Sequence, residues 1–135
     1  MEDQTTDSTT KATLVNARIG QGLFRDKVLD FWQECALTGY KDPCFLVASH
    51  IKPWRASSDY ERLDVYNGVL LLPNLDKAFD KGFITFSREG NIRISDQLEE
   101  PKKLGVNENM FINLRKKHQD YLSYHRKYVF EHRFL

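Results

Sequence analysis

CFLVASHIKPWRASSDYERLDVYNGVLLLPNLDKAFDKGFITF, residues 44–86, is the most strongly patterned stretch of the chain. Its first part, residues 44–51, carries Phe45, Val47 and the β-branched Ile51 and contains Ser49-His50; such residues suit a pleated surface and predict a strand. Pro53 removes a ladder donor and turns the chain out of the sheet. Residues 55–66 are polar and predict a loop with at most one helical turn. Asn67-Gly68 is a turn dipeptide, and the apolar run over residues 69–72 predicts a second strand. Pro73 suits the first turn of a helix, with Asn74 as an alternative cap. Leu75, Ala78 and Phe79 give that helix an apolar stripe, and Gly82 is placed to end it. The order strand, loop, strand, helix sets His50 on the first strand and the carboxylates of Asp76 and Asp80 on the helix. Such a layout can hold a metal ion opposite a general base.

Working outward, 135 residues are enough for one domain with a modest core. Lys and Arg number 20 against 19 Asp and Glu, a formal charge of +1. No global field draws such a chain to a polyanion, so any nucleic-acid contact needs a local cluster of bases. Two cysteines make no disulfide scaffold. No apolar run is long enough to cross a bilayer, and the polar, acidic N-terminus is unlike a secretory signal, which points to a reducing, cytoplasmic setting. Residues 1–17 are expected to form a disordered leader or linker, and residues 18–135 the folded domain.

From Gly22, residues Leu23, Phe24, Val28, Leu29, Phe31 and Trp32 recur near helical spacing and predict a helix. Residues 35–39 predict a short strand that ends in a turn at Gly39. Residues 83–86 and 91–95 predict a hairpin, residues 97–107 a loop, and residues 108–134 a helix.

Each candidate residue has a plain reading beside the chemical one. Asp76 and Asp80 are four apart, so both project from one face of a helix. They are either two solvated acids beside Lys77 and Lys81 or a pair of oxygen ligands for a hard divalent cation. His50 is either a packed strand-end residue or a base that takes a proton from water, with Lys52 close enough to hold an anion. Asn67 is either a turn former or a brace across the loop; a brace must donate one hydrogen bond and accept another. Cys35 and Cys44 lack any CxxC partner and read as small buried thiols rather than zinc ligands. His118, His125 and His132 recur every seven residues, near one face of the last helix, among Arg115, Lys116, Lys117, Arg126 and Lys127. That face reads as a solvated polar stripe or as a surface resting on a phosphate backbone. Arg18, Gln21, Arg25, Lys52, Trp54, Arg55, Arg62 and Lys77 are the further nucleic-acid contact candidates.

SHIKPW, ERLDVYNGVLLL and LDKAFDKGFITF, in that order, resemble the HNH endonuclease family, in the branch with an S-H-I-K-P-W motif followed by N-G-x-L-L-L and D-x-x-F-D-x-G. The similarity reaches upstream to RIGQGLFR and CALTG and covers residues 18–95. It implies an α+β domain with a ββα-metal (His-Me finger) core, flanking helices and an additional β-hairpin. It further implies a metal-dependent endonuclease that hydrolyses phosphodiester bonds in duplex DNA, in restriction or defence against foreign DNA. A module of this size is expected to rely on a targeting domain or partner protein. By the same resemblance His50 is the general base, Asn67 the residue that braces the loop, and Asp76 and Asp80 the metal ligands. Ser49 stands where many members carry another ligand and is expected to add a hydroxyl or water-mediated ligand to the metal, and Asp76 stands in place of the family's final histidine. All-oxygen ligation would favour Mg²⁺ or Mn²⁺. Ser49 also sustains an alternative, a non-catalytic module on a degenerate HNH fold that binds nucleic acid or protein without cutting.

Overall fold

The computed structural model describes the backbone of residues 2–132 and the side-chain surroundings of residues 16–132. Helix α1 spans Glu2–Trp32. It therefore runs through the segment expected to be a disordered leader and begins well before Gly22. The reading by apolar periodicity could not find that extension, because residues 1–13 contain no apolar repeat for it to register. Phe24 and Val28 on α1 are buried, and Leu29 and Trp32 pack beside them, a spacing that places all four on one side of the helix.

Residues 35–39 form turns instead of the expected strand: Gly39, at φ +77°, donates its N–H back to the Cys35 carbonyl. One sheet-like bond survives there, from Ala36 N–H to the Leu70 carbonyl. The strand expected over residues 44–51 is also shorter. A 3-10 turn, Pro43–Phe45, occupies its start, with the Asp42 side chain accepting the Cys44 N–H. Strand β1 is Val47–His50 and pairs antiparallel with β2, Gly68–Leu71, in the register Val47↔Leu71 to His50↔Gly68. The connection between them holds more structure than a loop: α2, Asp59–Leu63, starts on a Ser58–Glu61 capping box. A 3-10 turn, Val65–Asn67, then leads straight into β2, so Asn67 ends a short helix instead of forming a hairpin turn. Helix α3, Pro73–Asp80, follows with Pro73 in its first turn and Leu72 as its cap residue. Asn74 does not cap it; its amide donates to the Leu104 carbonyl.

This ββα unit, flanked by helices, carries the expected additional hairpin: β3, Ile84–Phe86, pairs with β4, Ile92–Ile94. The architecture is α+β. One short helix, α4, Pro101–Leu104, interrupts the expected loop. The tail departs most from expectation. Residues 108–115 are not helical, Phe111 bridges to Asn91, and only α5, Gln119–Tyr128, is α-helical. Val106 and Ile112 are buried, which fixes this non-helical segment beside the hairpin. Residues 133–134 of the expected helix lie outside the described residues.

The histidine stripe on this tail is also revised. His118 and His125 are buried, and burial pushes both imidazoles down to about 4. His125 stacks on Phe79, donates Nε2–H to the Phe79 carbonyl and accepts at Nδ1 from the Thr85 hydroxyl. His118 accepts the Arg115 N–H at Nδ1 and sits among the rings of Phe31, Trp32 and Tyr66. Both fix α5 to the core, and of the three only His132 is exposed. A spacing of seven does place residues near one face, but it does not tell which way that face points.

Candidate active site

His50 ends β1 directly opposite Gly68. A Cβ at Gly68 would fall 2.5 Å from Val28 Cγ2 and 2.7 Å from Phe24 Cζ, so only glycine lets α1 come this close. That closeness brings the Phe24 ring onto the His50 imidazole, centroids 3.7 Å apart and nearly parallel. Trp54 meets the imidazole edge-on at 5.5 Å. His50 Nε2 lies 2.9 Å from the Arg62 carbonyl. A carbonyl only accepts, so Nε2 carries the proton and Nδ1 keeps the lone pair. Burial, assisted by the Arg62 charge, holds this imidazole below its ordinary range despite the opposing carbonyl bond. His50 is therefore neutral at pH 7.

The loop that carries the Arg62 carbonyl is tied from within. Asn67 is fully buried; its Oδ1 accepts the Lys52 N–H at 2.8 Å, and its Nδ2 donates to the Glu61 carbonyl at 2.9 Å and to Ser57 Oγ at 3.3 Å. Ser57 donates in turn to the carbonyls of Lys52 and Pro53. Lys52 Nζ bonds both carboxylate oxygens of Glu61 at 3.0 Å. The Ser58 N–H and Lys52 together hold the Glu61 carboxyl below the usual range. One amide thus joins both ends of the loop between the strands, and His50 hydrogen-bonds to the part it closes.

Asp76 and Asp80 face the same cleft. It encloses about 420 Å³ and is lined by Ser49, His50, Trp54, Arg55, Asp76 and Asp80, with Ala48 and Pro53. Asp76 is half-buried, and burial pushes its carboxyl up; the Ser49 hydroxyl bonded to it pulls down, and Asp80 pushes up again. Ser49 is itself buried, with its hydroxyl near the Asp76 carboxyl. Asp80 is exposed. Among the described residues no group of three or more His, Cys, Asp or Glu gathers as a metal site. The pair of carboxylates still fits a hard cation. Mg²⁺ retains several waters and is commonly held by one or two carboxylates plus substrate phosphate, and the strain on the half-buried Asp76 is what a cation would relieve.

The remaining contact candidates divide. Arg25 donates to the carbonyls of Leu46 and Pro43, Arg62 donates to the Trp54 carbonyl and lies over the Trp54 ring, and Lys52 is paired with Glu61. All three therefore also hold parts of the domain together. Arg18, Gln21, Arg55 and Lys77 are exposed, and Arg55 has no hydrogen bond or ion pair among the described residues. Cys35 is buried as expected, whereas Cys44 is exposed, in the turn capped by Asp42, where the Asp42 carboxylate raises its thiol. Sequence reasoning passed over Phe24, Ser57 and Glu61. Phe24 looks like any residue of an apolar stripe, and Ser57 and Glu61 look like any polar loop residue.

No helix of the described residues is long and apolar enough to cross a membrane. Residues 35–87 match the family model described as HNH endonuclease, a span that holds all of β1, β2 and α3. No curated protein matches the chain.

Proposed function

We propose that this chain, with its HNH endonuclease segment, is a metal-dependent nuclease that hydrolyses phosphodiester bonds in DNA, with His50 as general base. The observation that carries the reading is the state of His50: neutral, proton on Nε2, lone pair on Nδ1, and set in one cleft with Asp76 and Asp80. Asp76 and Asp80 would hold a divalent ion, with Mg²⁺ or Mn²⁺ favoured by their oxygen donors, and that ion supplies electrophilic stabilisation to the phosphate when bound. His50 Nδ1 takes a proton from water as the water oxygen bonds to phosphorus; the P–O bond to the leaving group breaks, and that oxygen takes a proton from solvent. The Arg62 carbonyl stabilises the imidazolium through Nε2–H, and Phe24 fixes the plane of the ring. Arg55, an unpaired cation in the cleft, is suited to a non-bridging phosphate oxygen. Ser49 and Asn67 are positioning residues, acting through Asp76 and the loop. A narrower role in restriction or defence rests on the sequence resemblance alone.

The test is nicking of plasmid DNA with Mg²⁺, with Mn²⁺ and with chelator, using wild type and His50→Gln. Glutamine can keep an N–H for the Arg62 carbonyl but offers no base. Cleavage should require the metal and fall about 10²–10⁴-fold in the variant, the usual cost of losing a positioned base. Equal cleavage by both proteins removes His50 from the reaction. Metal-independent DNA binding without any cleavage would favour the non-catalytic module.

A further inference from the structure

A second groove, about 600 Å³, lies beside the His50 cleft and is lined on one side by α5. The two share Pro53, Arg55 and Asp80, so they adjoin at those residues. Beyond Asp80 the groove is lined by Lys81, Tyr124 and Tyr128. Lys81 and Arg55 are exposed and, among the described residues, have no side-chain ion pair. Tyr124 and Tyr128 are one helical turn apart, with ring centroids separated by 4.7 Å. Tyr128 is 54% exposed, so its ring is open to a ligand. Lys127 Nζ lies 5.2 Å over Tyr128, which adds positive charge along the tyrosine side.

Cations alternating with aromatic faces, leading away from a phosphate-cleaving site, match the chemistry of a single nucleic-acid strand. We propose that this groove is the subsite for the nucleotide next to the scissile phosphate. Lys81 takes its phosphate, next to the scissile phosphate at Arg55, and its base stacks on Tyr128, with Tyr124 behind. A base stacked on a side chain has left its own duplex stack. The subsite therefore favours DNA whose strand is unpaired beside the cut, such as a bubble, flap or single strand, over continuous duplex. This deepens the nuclease reading above and rests on it for the place of the cut.

The experiment compares single-turnover cleavage, with Mn²⁺, of a duplex carrying a central unpaired bubble and of the fully paired duplex of the same sequence. Wild type should cut the bubble about tenfold faster or more, in line with the contribution of one base–aromatic stack. Tyr128→Leu should slow the bubble alone and bring the ratio near one, and Tyr128→Trp should restore it. Because Tyr128 is exposed, neither change threatens the fold. In parallel, a single strand containing 2-aminopurine is bound to His50→Gln; stacking should quench its fluorescence, and adding Tyr128→Leu should abolish the quench. Quenching that depends on Tyr128, in a protein that cuts neither duplex, would support the subsite and refute the nuclease reading. Equal cleavage of both duplexes, with ratio and quench untouched by Tyr128→Leu, would overturn the subsite and leave the nuclease reading standing.

Discussion

Replacing Asn67 with Asp changes one nitrogen to one oxygen at the most enclosed point of the loop. The Lys52 N–H keeps an acceptor, but the Glu61 carbonyl at 2.9 Å loses its donor and faces another oxygen. An unsatisfied buried acceptor costs about 1–3 kcal/mol, and an ionised carboxylate with no cation beside it adds to that. The bond in which Ser57 Oγ accepts from Asn67 is long, 3.3 Å, and counts for little. About 2–4 kcal/mol is therefore expected near pH 8. Burial raises the folded-state pKa of the new carboxyl above its unfolded value near 4. The protonated form can donate to the Glu61 carbonyl, so the cost is small at pH 4 and grows as pH rises through the interval between the two pKa values. Urea melts of Asn67→Asp and wild type at pH 4.5 and pH 8 measure this directly. At pH 8 the variant should melt thermally about 10 °C below wild type, by the usual scaling for a domain of this size. Its DNA cleavage should fall about 10²-fold even where it is folded, because the Arg62 carbonyl that orients His50 belongs to the disturbed loop. A destabilisation below about 1 kcal/mol, equal at both pH values, would refute the account of Asn67 as a donating brace.

Asp76→Asn should raise the melting temperature of the metal-free protein at pH 7, because the raised Asp76 pKa means that stability is lost as pH climbs above the unfolded carboxyl value. The same variant should lose the melting-temperature rise that Mg²⁺ or Mn²⁺ gives wild type; retention of the full rise would place the ligands elsewhere. Gly68→Ala should cost about 1–3 kcal/mol by overpacking against Val28 and Phe24 and should slow cleavage while preserving the metal-induced rise; an unchanged rate would mean that the Phe24 stack does not matter to His50. His118 and His125 are held down to about 4 from an ordinary 6.5, so stability should be complete above pH 6.5 and be lost as pH falls toward 4. His125→Gln, which can still accept from Thr85 and donate to Phe79, should flatten that dependence in urea melts across pH 4–7 relative to wild type.

The strand–loop–strand–helix order was legible because its signals are local. The apolar run over residues 69–72 marks β2, Pro53 and Pro73 mark where the chain leaves and enters regular structure, and a spacing of four sets Asp76 and Asp80 together. What the sequence hid depends on contacts between distant residues. Lys52 sits two residues after His50 and looked free to hold an anion, yet Glu61 on α2 claims it. Arg25 looked like a helix-surface cation, yet it holds the carbonyls of the 43–46 turn. In the tail, the helix expected over residues 108–134 hid a non-helical segment whose Ile112 belongs to the core.

The four histidines show how surroundings, not residue type, decide which can act as a base. A base for water needs three things: neutrality at the working pH, an unshared lone pair, and a place beside the phosphate. His125 is neutral, but Thr85 occupies its accepting nitrogen. His118 is neutral, but the Arg115 N–H occupies its Nδ1, and its Nε2 is enclosed without a hydrogen-bond partner. His132 is exposed and lies outside the cleft that holds Asp76. His50 has its proton fixed on Nε2 by Arg62, no hydrogen bond at Nδ1 among the described residues, and both carboxylates in its cleft. The same force, burial, lowers the pKa of His50, His118 and His125; a free accepting nitrogen and a place in the cleft with Asp76 and Asp80 separate a candidate base from a packing residue.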